Sequence, residues 1–277
     1  MKRDPFDGKV AFITGAASGL GRALAGALVK RGATVLLADI EADLLERTAW
    51  TLGGEANDVH FFPLDVRKSG QWEHVAAEVY QRFDHVDFFF NNAGIAVAGL
   101  VRDTTLEDWE RLFEVNVLGV VRGVDAFYPR MRDQGHGHII NTASISGLVP
   151  TSLMAAYSAS KHAVVAFSET LRAEAESDGI AVSVVCPGIL DTPMAHTTEL
   201  RGAESEPVLS KLPAPPMAVD EAVEQMLAGV AKRRGIIVIP REANLLWRAY
   251  RSSPEAMLRV NRKTVGWLRR LTGADAK

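Results

Sequence analysis

Tyr157 and Lys161 stand four residues apart in Tyr157-Ser158-Ala159-Ser160-Lys161, at the head of an apolar-periodic segment that runs through Val164, Val165, Phe167, Ser168 and Leu171. On a helix that interval puts a phenol and an ammonium on one face. A free tyrosine titrates near about 10, and a fixed cation a few ångströms away lowers that value, so the pair predicts a general acid or base. Taken alone, the same pair also reads as an ordinary surface contact. Ser144, in Asn141-Thr142-Ala143-Ser144, falls just after a strand-like run, where its hydroxyl could hold a reacting oxygen against the phenol.

A second cluster lies near the start of the chain. Thr14-Gly15-Ala16-Ala17-Ser18-Gly19-Leu20-Gly21 follows the first strand-like run and opens a helical pattern, so backbone amides and the positive helix end face a pyrophosphate. The spacing is Gly-x3-Gly-x-Gly, an imperfect match to the general dinucleotide fingerprint, and a tight connection would look similar. Asp39 ends the second strand, eighteen residues beyond Gly21, where a carboxylate would bond the adenosine ribose hydroxyls and repel a 2′-phosphate. NAD is therefore favoured over NADP, with Arg22 and Arg47 the cations that geometry does not exclude. Asp39 also reads as a helix N-cap for the stretch starting at Glu41.

The elements that must carry these groups alternate. Val10 to Thr14, Thr34 to Ala38, Val59 to Leu64, Val86 to Phe90, His138 to Thr142, Ile180 to Val185 and Ile236 to Ile239 are short apolar runs without polar alternation, as expected of parallel strands covered on both faces. Helical periodicity fills the intervals. The pattern predicts an α/β fold, a Rossmann-like doubly wound parallel sheet of about seven strands with helices on both faces and an order beginning 3-2-1-4. Ligands of such sheets bind outside the carboxyl ends of the strands, where both clusters fall. Residues 1–240 read as one catalytic domain and 241–277 as its helical extension. The five prolines between Asp191 and Asp220 argue against one continuous helix there.

With these motifs in hand, the sequence resembles the short-chain dehydrogenase/reductase family in its common one-domain form. The matches run in order over about residues 8–240: the glycine turn, Asp65 after strand three, Asn91-Asn92-Ala93-Gly94 after strand four, Asn116, Ser144, Tyr157-x3-Lys161, and Pro187-Gly188 with Thr192. The resemblance implies an Asn116, Ser144, Tyr157, Lys161 catalytic set, with Asn116 holding a water in the proton relay behind Lys161. It implies that Gly15, Ser18, Gly19, Leu20 and Gly21 cradle the cofactor, and that Asp65 and Val66 contact the adenine. Asn92, Ala93 and Gly94 would border the adenosine ribose and stabilise the sheet, while Pro187, Gly188, Leu190 and Thr192 orient the nicotinamide. Lys161 would bond the nicotinamide ribose and depress the Tyr157 pKa. The reaction implied is hydride transfer between NAD(H) and an alcohol or ketone carbon, in a homodimer or homotetramer. A 3-oxoacyl reductase of the same family, or a cofactor-sensing protein without turnover, are the alternatives.

Residues expected to line the open side, Ile95 to Leu100, Val149 to Ala155, and Leu190 onward with Met194 and Met217, are mainly apolar and lack an Arg or Lys clamp. They predict a hydrophobic, steroid-, retinoid- or terpenoid-like secondary alcohol or ketone. The formal net charge of −3 argues against nucleic acid. A lone Cys186, expected in the core, excludes an internal disulfide and fits a reducing compartment. No apolar leader or bilayer-length apolar run is visible, so the expectation is a soluble cytoplasmic protein. The histidines at 60, 74, 85, 136, 138, 162 and 196 show no ligand spacing, and no metal is expected. From Arg241 onward, apolar residues interleave with Arg248, Arg251, Arg259, Arg262, Lys263, Arg269 and Arg270. Such a tail suits a membrane surface, but Pro254 and Glu255 break the pattern and favour helices packed on the domain or on a second subunit.

Overall fold

A computed structural model describes residues 4–194, 198–202 and 215–272. Its centre is a seven-stranded, wholly parallel sheet built from β1 (Val10–Thr14), β2 (Thr34–Asp39), β3 (Val59–Pro63), β4 (Phe88–Asn91), β6 (Gly137–Thr142), β7 (Ile180–Pro187) and β9 (Ile236–Ile239). The order is β3-β2-β1-β4-β6-β7-β9. All seven expected runs are strands, and the order begins as anticipated. Two three-residue strands were not foreseen: β5 (Val97–Gly99) and β8 (Glu199–Arg201) form a separate parallel pair.

Alternation along the strands explains why both faces are covered. Ala11, Ile13, Val35, Leu37, Phe90, Ile140 and Val185 point to one face. There they meet Leu24 and Leu28 of α1 (Gly19–Val29), Leu45 of α2 (Ala42–Thr51), and Met226 and Leu227 of α7 (Val219–Val230). Phe12, Leu36, Phe89, Ile139 and Val182 point to the other. They meet Trp72 and Val79 of α3 (Ser69–Phe83), Phe127 and Met131 of α5 (Gly119–Gln134), and Leu171 of α6 (Ala155–Ala175). Each face buries enough large apolar side chains to pin the register, because a one-residue slip would exchange the two sets.

α4 (Leu106–Phe113) begins with a capping box in which the Thr105 side chain accepts from the Asp108 amide and the Asp108 carboxylate accepts from the Thr105 amide. A π-helical turn over Glu114–Leu118 joins it to α5. Beyond β9, α8 (Ala243–Ser252) lays Ala243, Trp247 and Tyr250 against the cluster containing Leu148, Val149 and Val164. α9 (Pro254–Thr272) follows, and its Asn261 side chain donates to the Pro150 carbonyl at 3.1 Å. Among the described residues no helix is long and apolar enough to cross a membrane.

Candidate active site

The glycine turn lies between the ends of β1 and β4. Gly15 has φ +65°, and a Cβ on Gly21 would stand 2.0 Å from the Gly15 carbonyl oxygen, so only glycine lets α1 start this close to the turn. The turn is fastened by the first residue of the motif, to which the sequence assigns no role of its own. Thr14 Oγ1 accepts from the amides of both Asn92 and Ala93 at 2.9 Å, while Asn92 Nδ2 donates to the Thr14 carbonyl at 3.0 Å. Asn92 thus ties β4 to β1, the sheet-stabilising half of what the resemblance implied.

Asp39 sits where β2 ends and faces the turn: its Oδ2 accepts from the Ala17 amide at 3.0 Å, and its Oδ1 accepts from the Glu41 amide at 3.1 Å. The second contact is the local helix-start bond that the sequence left open as an alternative. Each carboxylate oxygen keeps further accepting capacity, so the two readings coexist. Asp65 is gripped by Arg67, whose Nε and Nη2 donate to Oδ1 at 2.9 Å and Oδ2 at 2.8 Å. That bond is the main reason its carboxyl lies below the ordinary range. Val66 next to it is buried against Gly119.

Across the cleft, the chain leaving β7 folds back. The Gly188 amide donates to the Ile239 carbonyl, Leu190 bridges to Met217, and the Thr192 side chain lies 3.5 Å from where a Cβ on Gly19 would be. Pro187, Gly188, Leu190 and Thr192 therefore form the wall opposite the glycine turn. Backbone amides at the glycine turn and a carboxylate at the end of β2 fit a dinucleotide.

The chemistry-bearing side chains converge at the carboxyl ends of β4, β6 and β7. Ser144 accepts from the Ser146 amide at 3.1 Å and donates to the Pro187 carbonyl at 3.3 Å, and its hydroxyl acts on the Tyr157 phenol nearby. Lys161, one helical turn beyond Tyr157, is buried and donates from Nζ to the Thr142 carbonyl at 3.0 Å. Its ammonium stands 5.8 Å from the phenol ring centre. Asn116 lies in the π-helical turn, fully buried. Its Oδ1 accepts from the Ile95 amide at 2.9 Å, and its Nδ2 donates to the Ile95 carbonyl at 3.0 Å and to Ser160 Oγ at 3.1 Å. Gly94 separates Asn116 from Lys161, with Asn116 Oδ1 and Lys161 Nζ 3.1 and 3.2 Å from a would-be Cβ.

Burial raises the Tyr157 pKa, and the Ser144 hydroxyl pulls it the other way. Lys161 itself is pushed down to about 8 by burial, so it remains mostly protonated near neutrality. The ammonium gives one of its three donors to the Thr142 carbonyl and stands over the phenol ring. The Cys186 thiol is fully buried and pushed up to about 12, which makes it a core residue as expected.

Other proteins share this arrangement of chain. A mycobacterial probable oxidoreductase, EphD of Mycobacterium tuberculosis, is 32% identical over 265 residues, covering 92% of this chain but only 45% of that protein, so this chain spans less than half of its length. The cyclopentanol dehydrogenase of Comamonas testosteroni is 35% identical over 219 residues, 78% of this chain and 88% of that one. Among solved structures, a short-chain dehydrogenase/reductase from Burkholderia phymatum in complex with NAD superposes with a TM-score of 0.81 at 31% identity, covering 93% of this chain and 97% of that one. The family model for short chain dehydrogenases matches residues 9–201, a span that holds both the glycine turn and the serine, tyrosine and lysine, and with it the chain belongs to the short-chain dehydrogenase family of oxidoreductases.

Proposed function

We propose that the protein is an NAD-dependent dehydrogenase that moves a hydride between NAD(H) and a hydrophobic secondary alcohol or its ketone. The observation that carries this reading is the convergence of the buried Tyr157, Ser144 and Lys161 side chains at the carboxyl ends of the central strands, with Ser144 on the Pro187 carbonyl and the Lys161 ammonium over the phenol ring. The nicotinamide supplies the hydride chemistry, and the chain supplies position and proton traffic. Tyr157 exchanges the proton of the substrate oxygen, and Ser144 holds that oxygen in line. Burial keeps the phenol protonated near neutrality, the form that donates during ketone reduction, whereas alcohol oxidation requires it to give up its proton. Lys161 holds a fixed positive charge beside the ring, and Asn116 anchors the backbone of Ile95 and the Ser160 hydroxyl behind it.

Asp39 supports the preference for NAD over NADP, since its carboxylate, held by the Ala17 amide at the edge of the glycine turn, would repel a 2′-phosphate. Buried Val97, Ala98 and Val149 support an apolar substrate, and the Comamonas relative adds cyclopentanol to the alcohols to be tried. Residues 1–240 act as the catalytic domain, with 241–277 as its helical extension. The packing of Trp247 and Tyr250 supports that placement over a membrane-bound tail. A homodimer or homotetramer is in keeping with the half-exposed Leu118 and Val121 near the start of α5. A cytoplasmic location accords with the single buried thiol. The test is NADH formation across a panel of secondary alcohols, with NADP as the competing cofactor. Turnover restricted to small polar hydroxy acids, or to NADP, would overturn the substrate or cofactor assignment respectively.

A further inference from the structure

The small β5–β8 pair lies one step from the phenol. Gly99 of β5 bridges to Met154 on its free side, its amide donates to the Leu153 carbonyl at 2.6 Å, and Met154 directly precedes α6, which carries Tyr157. Leu153 is held at φ +63°, a left-handed conformation that a leucine adopts only when its surroundings impose it. Val97 of β5 packs in one cluster with Leu112 of α4, Ala156 and Tyr157. On the other side of β5 lies β8, the point at which the chain that leaves Thr192 is fastened back to the body.

Two features fasten it. Arg201 places its guanidinium on Asp108, Nε to Oδ2 at 3.0 Å and Nη2 to Oδ1 at 2.7 Å, and the Asp108 side chain is almost wholly buried. Two-pronged pairs of this kind fix orientation as well as contact. Glu199 extends the network, bonding Arg201 at 2.6 Å and Arg111 at 2.9 Å. The Arg201 bond is also the main cause that holds the Asp108 carboxyl down to about 2, so the pair stays charged throughout the working range of an enzyme. The second feature is the absence of a side chain: a Cβ on Gly99 would stand 2.8 Å from Arg201 Cβ and 3.2 Å from its carbonyl oxygen. The backbone of Gly99 does not call for glycine by a positive φ, so the close approach of β8 is what requires it.

We propose that Asp108, Arg201 and Gly99 form a positioning clasp that seats β8 against β5 and thereby sets the substrate side of the site next to Tyr157. The clasp touches none of the residues assigned to the cofactor. Its effect is on substrate binding and on the alignment of the phenol, and it rests on the dehydrogenase reading given above.

Steady-state kinetics with the best alcohol of the panel test it, alongside NADH titration by fluorescence and thermal melting. Arg201→Gln is expected to raise the alcohol KM about tenfold while kcat changes by less than about threefold and NADH affinity by less than about twofold. Arg201→Lys, which keeps the charge but loses the fork, should fall between the two. Gly99→Ala displaces the same strand and should give the same signature, and joining it to Arg201→Gln should add little, as for changes acting through one element. An unchanged KM in Arg201→Gln and Gly99→Ala overturns the clasp. So does a loss of NADH affinity in step with the alcohol KM and the melting temperature, which marks a merely structural pair. If Arg201→Gln does not fold, Arg201→Lys and Gly99→Ala decide by the same criteria. Absence of turnover in the unsubstituted protein overturns the dehydrogenase reading and the clasp's role in it together, whereas turnover with unaltered variants overturns the clasp alone.

Discussion

The two walls of the cleft are made from different materials. The wall at β1 and β2 is mostly backbone: a glycine turn closed so tightly that Gly21 touches the Gly15 carbonyl, with Thr14 and Asp39 holding amides in place. The wall at α6 is made of side chains, in which Ser144, Tyr157, Lys161 and Asn116 each depend on a partner from another element. A backbone wall recognises a ligand that is the same in every turnover, and it is damaged by adding atoms. A side-chain wall performs chemistry, and it is damaged by removing them.

Substitutions on the two sides should therefore fail differently. The largest effect is expected from Tyr157→Phe, which removes one oxygen: kcat should fall by about 10³-fold or more while NADH still titrates the protein's fluorescence with near-normal affinity. Loss of NADH binding in that variant would erase the distinction between the walls. Ser144→Ala should lower kcat by about 10²-fold. Because the Ser144 hydroxyl draws the phenol's pKa down against burial, its removal should also move the rise of alcohol oxidation to higher pH, and a profile that stays put or moves to lower pH would contradict that role.

On the backbone side, Gly21→Ala forces a methyl into the Gly15 carbonyl. It should weaken NADH binding by tens of fold and destabilise the fold by about 1–3 kcal/mol, read by titration and melting. The smallest effect is expected of Asp39→Ala, which leaves the amides but removes the charge. The ratio of kcat/KM for NAD over NADP should narrow by about tenfold, and an unchanged ratio would move cofactor choice to Arg22 or Arg47.

The same contrast governs what could be read in advance. Strand runs and glycine spacing are local, so β1 and β9 were read to the residue. Where Val86 was expected to open a strand, β4 begins at Phe88, because the Val86 amide is taken by the Gln134 side chain instead. β5 and β8 gave no signal, being three residues each and paired across about a hundred residues of chain. Thr14, Arg67 and Ser160 carry no role that spacing alone assigns, since each acts through side-chain hydrogen bonds that only the folded chain sets up. The four-residue spacing correctly put Tyr157 and Lys161 on one face. It could not say that the ammonium would be drawn to the Thr142 carbonyl, because that partner comes from β6.

The wide turn between α4 and α5 holds one residue more than a regular helix would use over the same path, and Asn116 sits inside it. Deleting a single residue from Glu114–Leu118 would let the two helices merge into one regular rod, with the turns before and after it kept in place. The shortened helix would be better bonded along its length, yet the amide that grips Ile95 and Ser160 would swing out of reach. The surplus residue is thus a local swelling, tolerated in the helix because it aims one side chain.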